Sequence, residues 1–253
     1  MTIDPVTRPI EPRVADGSSD AAALAARAAL VSRGGARAAV LGVNDGLVTN
    51  ICLILAVAGA SATAGSVRLA GFASLVAGAF SMAAGEWVSV RAQVELYQGL
   101  LDELRRLVTR NPKLVLGELS SHLEAAGFGR ETAQAAATEL PLDEPRFLRF
   151  AATTLFGVNP DELGSPTTAA ISSFVLFALG ALVPLVPWFI TSGTSATALS
   201  IVLTAAAGVV VGGYVSRSSG RPVHQGALRQ LAIVVAAAAV TYGIGKLFGT
   251  AVA

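Results

Sequence analysis

Two acidic side chains occur inside long apolar runs of this sequence, where a carboxylate is energetically costly. Asp45 lies within the run 38–60, and Glu86 lies near the end of the next run, 67–92. Ionisable residues in such runs usually face a bundle interior or a water-filled path. Since no Asp or Glu follows position 162, Asp45 and Glu86 are the carboxylates available if the chain handles a cation within a membrane.

Neighbouring side chains could complete a metal site around these carboxylates. Thr49 and Cys52 follow Asp45 at i+4 and i+7 and share its helical face. Met82 precedes Glu86 by four residues, so these two also share a face. Carboxylates suit Fe(II), Mn(II) and similar ions, whereas a thioether disfavours Mg²⁺ and Ca²⁺. The pattern therefore favours a divalent transition metal.

Each of these residues also has a purely structural interpretation. Asp45 could cap or pair within the fold, and Glu86 could be an interfacial charge. Met82 is compatible with core packing, and Cys52 with a small buried hydrophobic residue.

Glu118 and His122 form a weaker candidate pair on another predicted helix. Their i, i+4 spacing can hold a metal ion. Two ligands without a third make a weak site, and a solvated helix face is the better explanation of the pair.

Membrane helices are the elements that must position the carboxylates. Of the 253 residues, 53% are hydrophobic and 14% are charged, and the mean hydropathy is +0.63. Apolar stretches of about 20 residues predict membrane spans. The sequence therefore predicts an all-α membrane protein with five transmembrane helices, at 38–60, 67–92, 167–191, 196–215 and 227–250.

The same pattern divides the chain into four parts. Residues 1–36 are expected to form a disordered tail and an amphipathic surface helix, and 37–92 the first two spans. Residues 93–166, which hold 11 of the 17 acidic residues, are expected to form a small helical cytoplasmic domain. Its predicted helices are 95–110, 113–126, 130–139 and 143–156. The last part, 167–253, contains the third to fifth spans.

Positive charge predicts the orientation of the spans. Arginines flank one set of helix ends, whereas the loops 61–66 and 192–195 contain no Lys or Arg; the arginines are Arg33, Arg37, Arg217, Arg221 and Arg229. The N-terminus and 93–166 are therefore expected in the cytoplasm and the C-terminus outside, in a bacterial plasma membrane. The chain begins without a cleavable signal pattern, and its net charge of +1 gives no reason to expect a nucleic-acid partner.

Prolines and glycines punctuate the later spans. Pro184 and Pro187 bracket the outer end of the third span, where a gate and a plain helix stop are both compatible with the sequence. Trp188 beside them is expected to anchor at the membrane interface. The pairs Gly208/Gly212 and Gly243/Gly245 suit close helix packing or dimerisation.

Several stretches together resemble the vacuolar iron transporter family. They are Asn44-Asp45-Gly46-Leu47-Val48, residues 81–90 (SMAAGEWVSV), residues 184–187 (PLVP), and residues 228–231 (LRQL) with 240–245 (VTYGIG). The resemblance implies a homodimer with five spans per subunit that moves Fe(II) or Mn(II) out of the cytosol in exchange for protons. Asp45 and Met82 match that family's membrane metal path.

The chain departs from this family in the domain 93–166. The family's metal-binding form has glutamates and a Met-Met pair at positions that align here with apolar residues: Leu104, Leu107, Val115, Ala151, Ala152 and Leu155, with Glu118 retained. Apolar side chains cannot bind a hard or borderline cation. They could instead pack the helices together or seal a dimer contact.

The sequence thus predicts a secondary transporter, without enzymatic activity or a resident cofactor, that exports divalent metal in exchange for protons. Asp45 would bind the ion, Met82 would favour a transition metal, and Glu86 would be an early ligand or a proton carrier. Two alternatives remain: a non-transporting membrane scaffold or sensor whose apolar cytoplasmic domain binds a partner, and a transporter of a solute other than iron.

Overall fold

The computed structural model describes residues 35–60, 62–160 and 163–252. These residues form nine α-helices and no strand; they are α1 (Gly35–Gly59), α2 (Ala64–Arg110), α3 (Pro112–Ala125), α4 (Arg130–Glu139), α5 (Pro145–Phe156), α6 (Pro166–Leu185), α7 (Pro187–Ile190), α8 (Gly193–Ser218) and α9 (Val223–Val252). The tail and the surface helix predicted before position 35 lie outside the described residues.

Five of these helices are long and apolar enough to cross a membrane: Ala39–Gly59, Ala64–Arg110, Pro166–Leu185, Gly193–Ser218 and Val223–Gly249. They confirm the predicted all-α membrane protein with five spans. The second span begins three residues earlier than predicted because Thr63 caps it, accepting a hydrogen bond from the Ser66 amide at 3.2 Å.

Helix α2 is one continuous helix of 47 residues, about 70 Å long at 1.5 Å per residue. The predicted helix 95–110 is therefore the distal part of the second membrane helix and not a separate element. Asn111 ends α2 and also caps α3, accepting a hydrogen bond from the Leu114 amide. Pro112 occupies the first turn of α3, where its missing N–H costs nothing.

The end of α2 and the helices α3, α4 and α5 form the part of the chain between the second and third spans, which we call the connecting segment. These helices pack around an apolar core, the connecting-segment core. Its buried members are Leu101, Leu104, Val115, Leu119, Ala137, Phe147, Ala151 and Ala152. Helix α5 ends at Gly157, whose φ of 67° is left-handed and suits a residue without a Cβ.

The third span is shorter than the predicted 167–191. Helix α6 ends at Leu185, and the short helix α7 follows from Pro187 to Ile190. Pro187 has no N–H to donate to the Val183 carbonyl four residues earlier, so the helical hydrogen-bond pattern is interrupted there. The nearby Pro184 carbonyl accepts a hydrogen bond from Ser200 Oγ of α8 at 2.7 Å. Trp188 is only 3% exposed and belongs to the buried apolar cluster of the spans, so its expected role as an interfacial anchor is wrong. We call this cluster the membrane core cluster; its buried members are Ile54, Val67, Leu75, Ala79, Phe177, Ala181, Leu185, Trp188 and Ala196.

Glycines let several pairs of spans approach until their backbones are in contact. A Cβ on Gly46 would lie 2.2 Å from the Phe177 carbonyl oxygen of α6, and one on Gly245 of α9 would lie 2.1 Å from the Ala56 carbonyl oxygen. Gly212 approaches the Gly226 carbonyl of α9 as closely, whereas Gly243 has nothing within 4 Å of such a Cβ. Three of these glycines thus pack helices within one chain, as does Gly208.

Candidate functional site

Asp45 lies on the outer surface of the subunit and not among the packed helices. Its side chain is exposed, as are those of Leu41 and Thr49 one turn away on either side. Thr49 Oγ1 donates a hydrogen bond to Asp45 Oδ1 at 3.0 Å, so these two residues share a face as expected. Cys52 is half-buried and packs against Ile51 and its neighbours.

The residues on either side of Asp45 in sequence contact two different helices. Asn44 Oδ1 accepts a hydrogen bond from Gln230 Nε2 of α9. Gly46 lies directly against the α6 backbone at Phe177. One turn further on, the buried Asn50 donates from Nδ2 to the Ala181 carbonyl of α6 at 2.6 Å.

Met82 lies close to the level of Asp45 along the bundle. A Cβ on Gly78 of α2 would meet the Phe177 ring, and Gly46 of α1 meets the Phe177 backbone, so Gly46 and Gly78 lie at the same level of α6. Met82 is one turn beyond Gly78, about 6 Å along the helix, and is half-buried against the membrane core cluster. Asp45 and Met82 are therefore at similar levels along the bundle, but Asp45 is exposed on the outside whereas Met82 packs against the membrane core cluster.

Glu86 follows Met82 by one further turn and is half-buried. The ion pairs between described residues are Arg91–Glu95, Arg105–Asp102 and Arg146–Glu144, and none of them involves Asp45 or Glu86. Within residues 35–60, 62–160 and 163–252, no group of three or more His, Cys, Asp and Glu side chains could hold a metal. A cation at Asp45 would therefore need further donors, such as Met82, water or a second subunit.

Glu118 and His122 are both exposed on α3, in keeping with the solvated-face interpretation. Two groups on one exposed turn give few donors, and a selective transition-metal site commonly needs about four to six. The structure therefore offers this pair no additional ligand in the described part of the chain.

The positions that the resemblance equates with metal ligands form the connecting-segment core. Leu104 is 2% exposed and Val115 is 1% exposed, and Ala151 and Ala152 are fully buried. The remaining positions differ: Leu155 is partly buried against this core, and Leu107 and the retained Glu118 are exposed. Of the two roles that the sequence left open for these residues, packing the helices together is the one that the structure supports.

Sequence reasoning missed two buried polar residues that organise the site. Gln230 is 8% exposed and Asn50 is fully buried, and both make hydrogen bonds between helices. Each is an amide within an apolar run, and such residues in membrane helices commonly bond to a neighbouring helix. That signal was available, but the sequence does not say which helix the partner belongs to.

Comparison with known proteins gives a consistent family match. The sequence model of the VIT family matches residues 36–246. The chain is 33% identical to the vacuolar iron transporter homolog 1 of Oryza sativa over 222 residues, covering 84% of this chain and 73% of that protein. It is 32% identical to the vacuolar iron transporter homolog 3 of Arabidopsis thaliana, with 85% and 83% covered. It is 31% identical to the vacuolar iron transporter of Acanthamoeba castellanii, with 88% and 82% covered.

Proposed function

Since the chain belongs to the VIT family, we propose that it exports a divalent transition metal, Fe(II) or Mn(II), from the cytosol in exchange for protons. Its relatives are named iron transporters, and the chain is accordingly a transporter and not an enzyme. The observation that carries the proposal is the exposed carboxylate of Asp45 within a membrane span.

Asp45 has the properties expected of an ion ligand in such a path. Its side chain has no cationic partner among the described residues, and its hydrogen bond comes from a neutral hydroxyl on the same helix. A carboxylate in this setting can alternate between a proton and a metal cation. Met82, on the adjacent helix and nearly level with Asp45, supplies a thioether that favours transition metals. Glu86, one turn further along α2, would be the first ligand that an entering ion meets, or a proton carrier.

The exposure of Asp45 also supports a homodimer. A charged side chain facing lipid costs about 2.5–3.5 kcal/mol at the middle of a span, and Asp45, well inside the span Ala39–Gly59, would bear part of that cost. A second copy placed against the stripe Leu41–Asp45–Thr49 would cover that carboxylate and bring a second one close to it. The paired carboxylates, with Met82 from each copy, would then provide the donors that one subunit lacks.

The orientation is proposed from charge. Arg217, Arg221 and Arg229 are exposed around the α8–α9 connection, and positive residues favour the cytoplasmic side. On this basis we propose that the α2–α6 connecting segment lies in the cytoplasm and the C-terminus outside, in a bacterial plasma membrane. Met82 and Glu86 lie towards the end of the α2 span that leads into this segment, so a cytosolic ion would reach Glu86 first.

The alternative of a non-transporting scaffold is less well supported. It needs the apolar residues of the connecting segment to face a partner. Leu104, Val115 and the other buried members of the core pack against one another within the segment, so these positions offer no surface to a partner. The exposed apolar side chains of the segment are other residues, such as Leu107, Leu114, Phe128 and Phe156.

The deciding experiment is metal-driven proton flux in liposomes that contain the purified protein. Asp45→Asn keeps the size of the side chain but removes its charge, and flux with Fe(II) or Mn(II) should fall to background. The matched control is Glu118→Ala combined with His122→Ala, which should retain flux because both residues are exposed outside the spans. Unchanged flux in Asp45→Asn, at equal protein in the membrane, would rule out this mechanism.

A further inference from the structure

We propose that Gln230 is a positioning residue that sets the rotation of α1 and thereby the direction in which Asp45 points. The proposal rests on the proposed function, since it concerns the same carboxylate. It adds a residue 185 positions away in sequence, on a different membrane helix, to the determinants of metal affinity.

Gln230 connects three helices at one point. Its amide Nε2 donates to Asn44 Oδ1 of α1. Its aliphatic stem lies in a groove of α8, where a Cβ on Gly208 would lie 3.2 Å from Gln230 Cγ and one on Gly212 would lie 2.9 Å from Gln230 Cβ. The two glycines of α8 therefore leave the space that the Gln230 side chain fills. With its stem enclosed and 8% of its surface exposed, Gln230 has little freedom to reorient.

The bond to Asn44 bears directly on Asp45 because the two residues are consecutive. Successive residues of an α-helix point about 100° apart. Asn44 is directed to α9 by Gln230, and Gly46 faces α6 without room for a side chain. Asp45 lies between these two directions and is consequently turned to the open surface of the subunit.

Neither restraint fixes the rotation by itself. The Gly46 contact prevents α1 from moving towards α6, but a helix pivoting on a glycine can still roll. The hydrogen bond from Gln230 opposes that roll at the residue next to Asp45. Asn50, which bonds to the Ala181 carbonyl, restrains α1 against α6 more than one turn away. Gly245 of α9 packs against Ala56 of α1, about three turns from Asp45, so at the level of Asp45 the contact with α9 is the hydrogen bond from Gln230.

The first test measures the apparent KM of metal-driven flux in Gln230→Leu. Leucine fills a similar space but cannot donate, so Asn44 Oδ1 loses its partner. We expect KM for Mn(II) to rise about tenfold, the factor equivalent to one buried hydrogen bond, while kcat changes by less than about twofold. Gln225→Leu is the matched control, since Gln225 is an exposed glutamine on the same helix.

Two further variants separate positioning from a general folding defect. Gln230→Glu keeps the length of the side chain, and the uncharged acid form that burial favours can still donate an O–H to Asn44 Oδ1. It should therefore retain more of the affinity than Gln230→Leu. Gly208→Ala leaves both hydrogen-bonding groups in place but presses on the Gln230 stem. It should raise KM in the same direction by a smaller factor.

The second test does not depend on transport. Cys52 is the only cysteine of the chain and lies on α1, so a trifluoromethyl label there reports the setting of this helix by ¹⁹F NMR. Gln230→Leu should shift or split the signal, whereas Gln225→Leu should not. An unchanged signal, or an unchanged KM, overturns the proposal. If the unmodified protein shows no Asp45-dependent flux, the proposed function fails, and the fluorine signal alone then decides whether Gln230 fixes α1.

Discussion

A carboxylate introduced at Leu104 tests whether the connecting segment has exchanged a metal site for an apolar core. Leu104 is 2% exposed and packs in the connecting-segment core. Removing a buried leucine side chain forfeits about 2 kcal/mol of apolar burial. Desolvating a carboxylate without a cationic partner adds several kcal/mol more.

We therefore expect Leu104→Glu to destabilise the connecting segment by at least about 4 kcal/mol. Amide hydrogen exchange of the full chain, followed by mass spectrometry on peptides from 112–156, measures this locally. A loss of 4 kcal/mol corresponds to exchange about a thousandfold faster, or to complete loss of protection where the local stability is smaller. Leu107→Glu is the matched control on the same helix, since Leu107 is 38% exposed and should change exchange by less than about fivefold.

The opposite result would identify a hidden ion site. If Leu104→Glu were tolerated as well as Leu107→Glu, the interior around Leu104 would have to be wet or cation-bearing. Added Mn(II) should likewise leave exchange of the unmodified segment unchanged. Protection that increases on adding Mn(II) would show that acidic residues of this segment bind the ion, and the interpretation of a metal-free core would be wrong.

Two predictions concern the membrane part. Gly46→Ala should reduce the yield of folded protein and lower its stability by about 1–3 kcal/mol, because the new Cβ would lie 2.2 Å from a backbone oxygen. Gly85→Ala is the control, since a Cβ there has nothing within 4 Å. Equal thermal stability of the two variants in detergent would contradict the packing described. Met82→Leu should preserve folding, since the two side chains have similar volumes. It should weaken Fe(II) transport more than Mn(II) transport, because manganese is the harder ion. Equal loss for both ions in the liposome assay would assign Met82 to packing alone.

The sequence predicted the elements well because long apolar runs and their breaks are local signals. The five spans follow from hydropathy, and the helices of the connecting segment follow from breaks such as Asn111-Pro112. The cap at Thr63 was missed, so the second span was predicted to begin three residues too late. The break of the third span was less clear, because proline alone does not say whether a helix bends or ends. The carbonyl of Pro184 accepts its hydrogen bond from Ser200 of another helix. Such a tertiary contact cannot be predicted from the local sequence.

The surroundings of Asp45 could be predicted only in part for the same reason. Spacing along one helix correctly placed Thr49 beside the carboxylate. The restraint by Gln230 depends on two helices meeting at a distance of 186 residues in sequence, and no local pattern encodes that meeting. The apolar residues at the expected ligand positions were visible in the sequence, but only their burial against one another distinguishes a core from a binding surface.

The membrane spans and the connecting segment are held together by different kinds of contact. In the membrane part, small residues and interhelical amides hold α1 in place while leaving Asp45 without an ionic partner, which suits a group that must exchange its ligand. In the connecting segment, a core of apolar side chains holds the helices together without an ion. A chain that stabilises its connecting segment with an apolar core can fold that segment at any metal concentration. If the chain transports as proposed, the selection of the metal must then take place at Asp45, Met82 and Glu86 within the membrane.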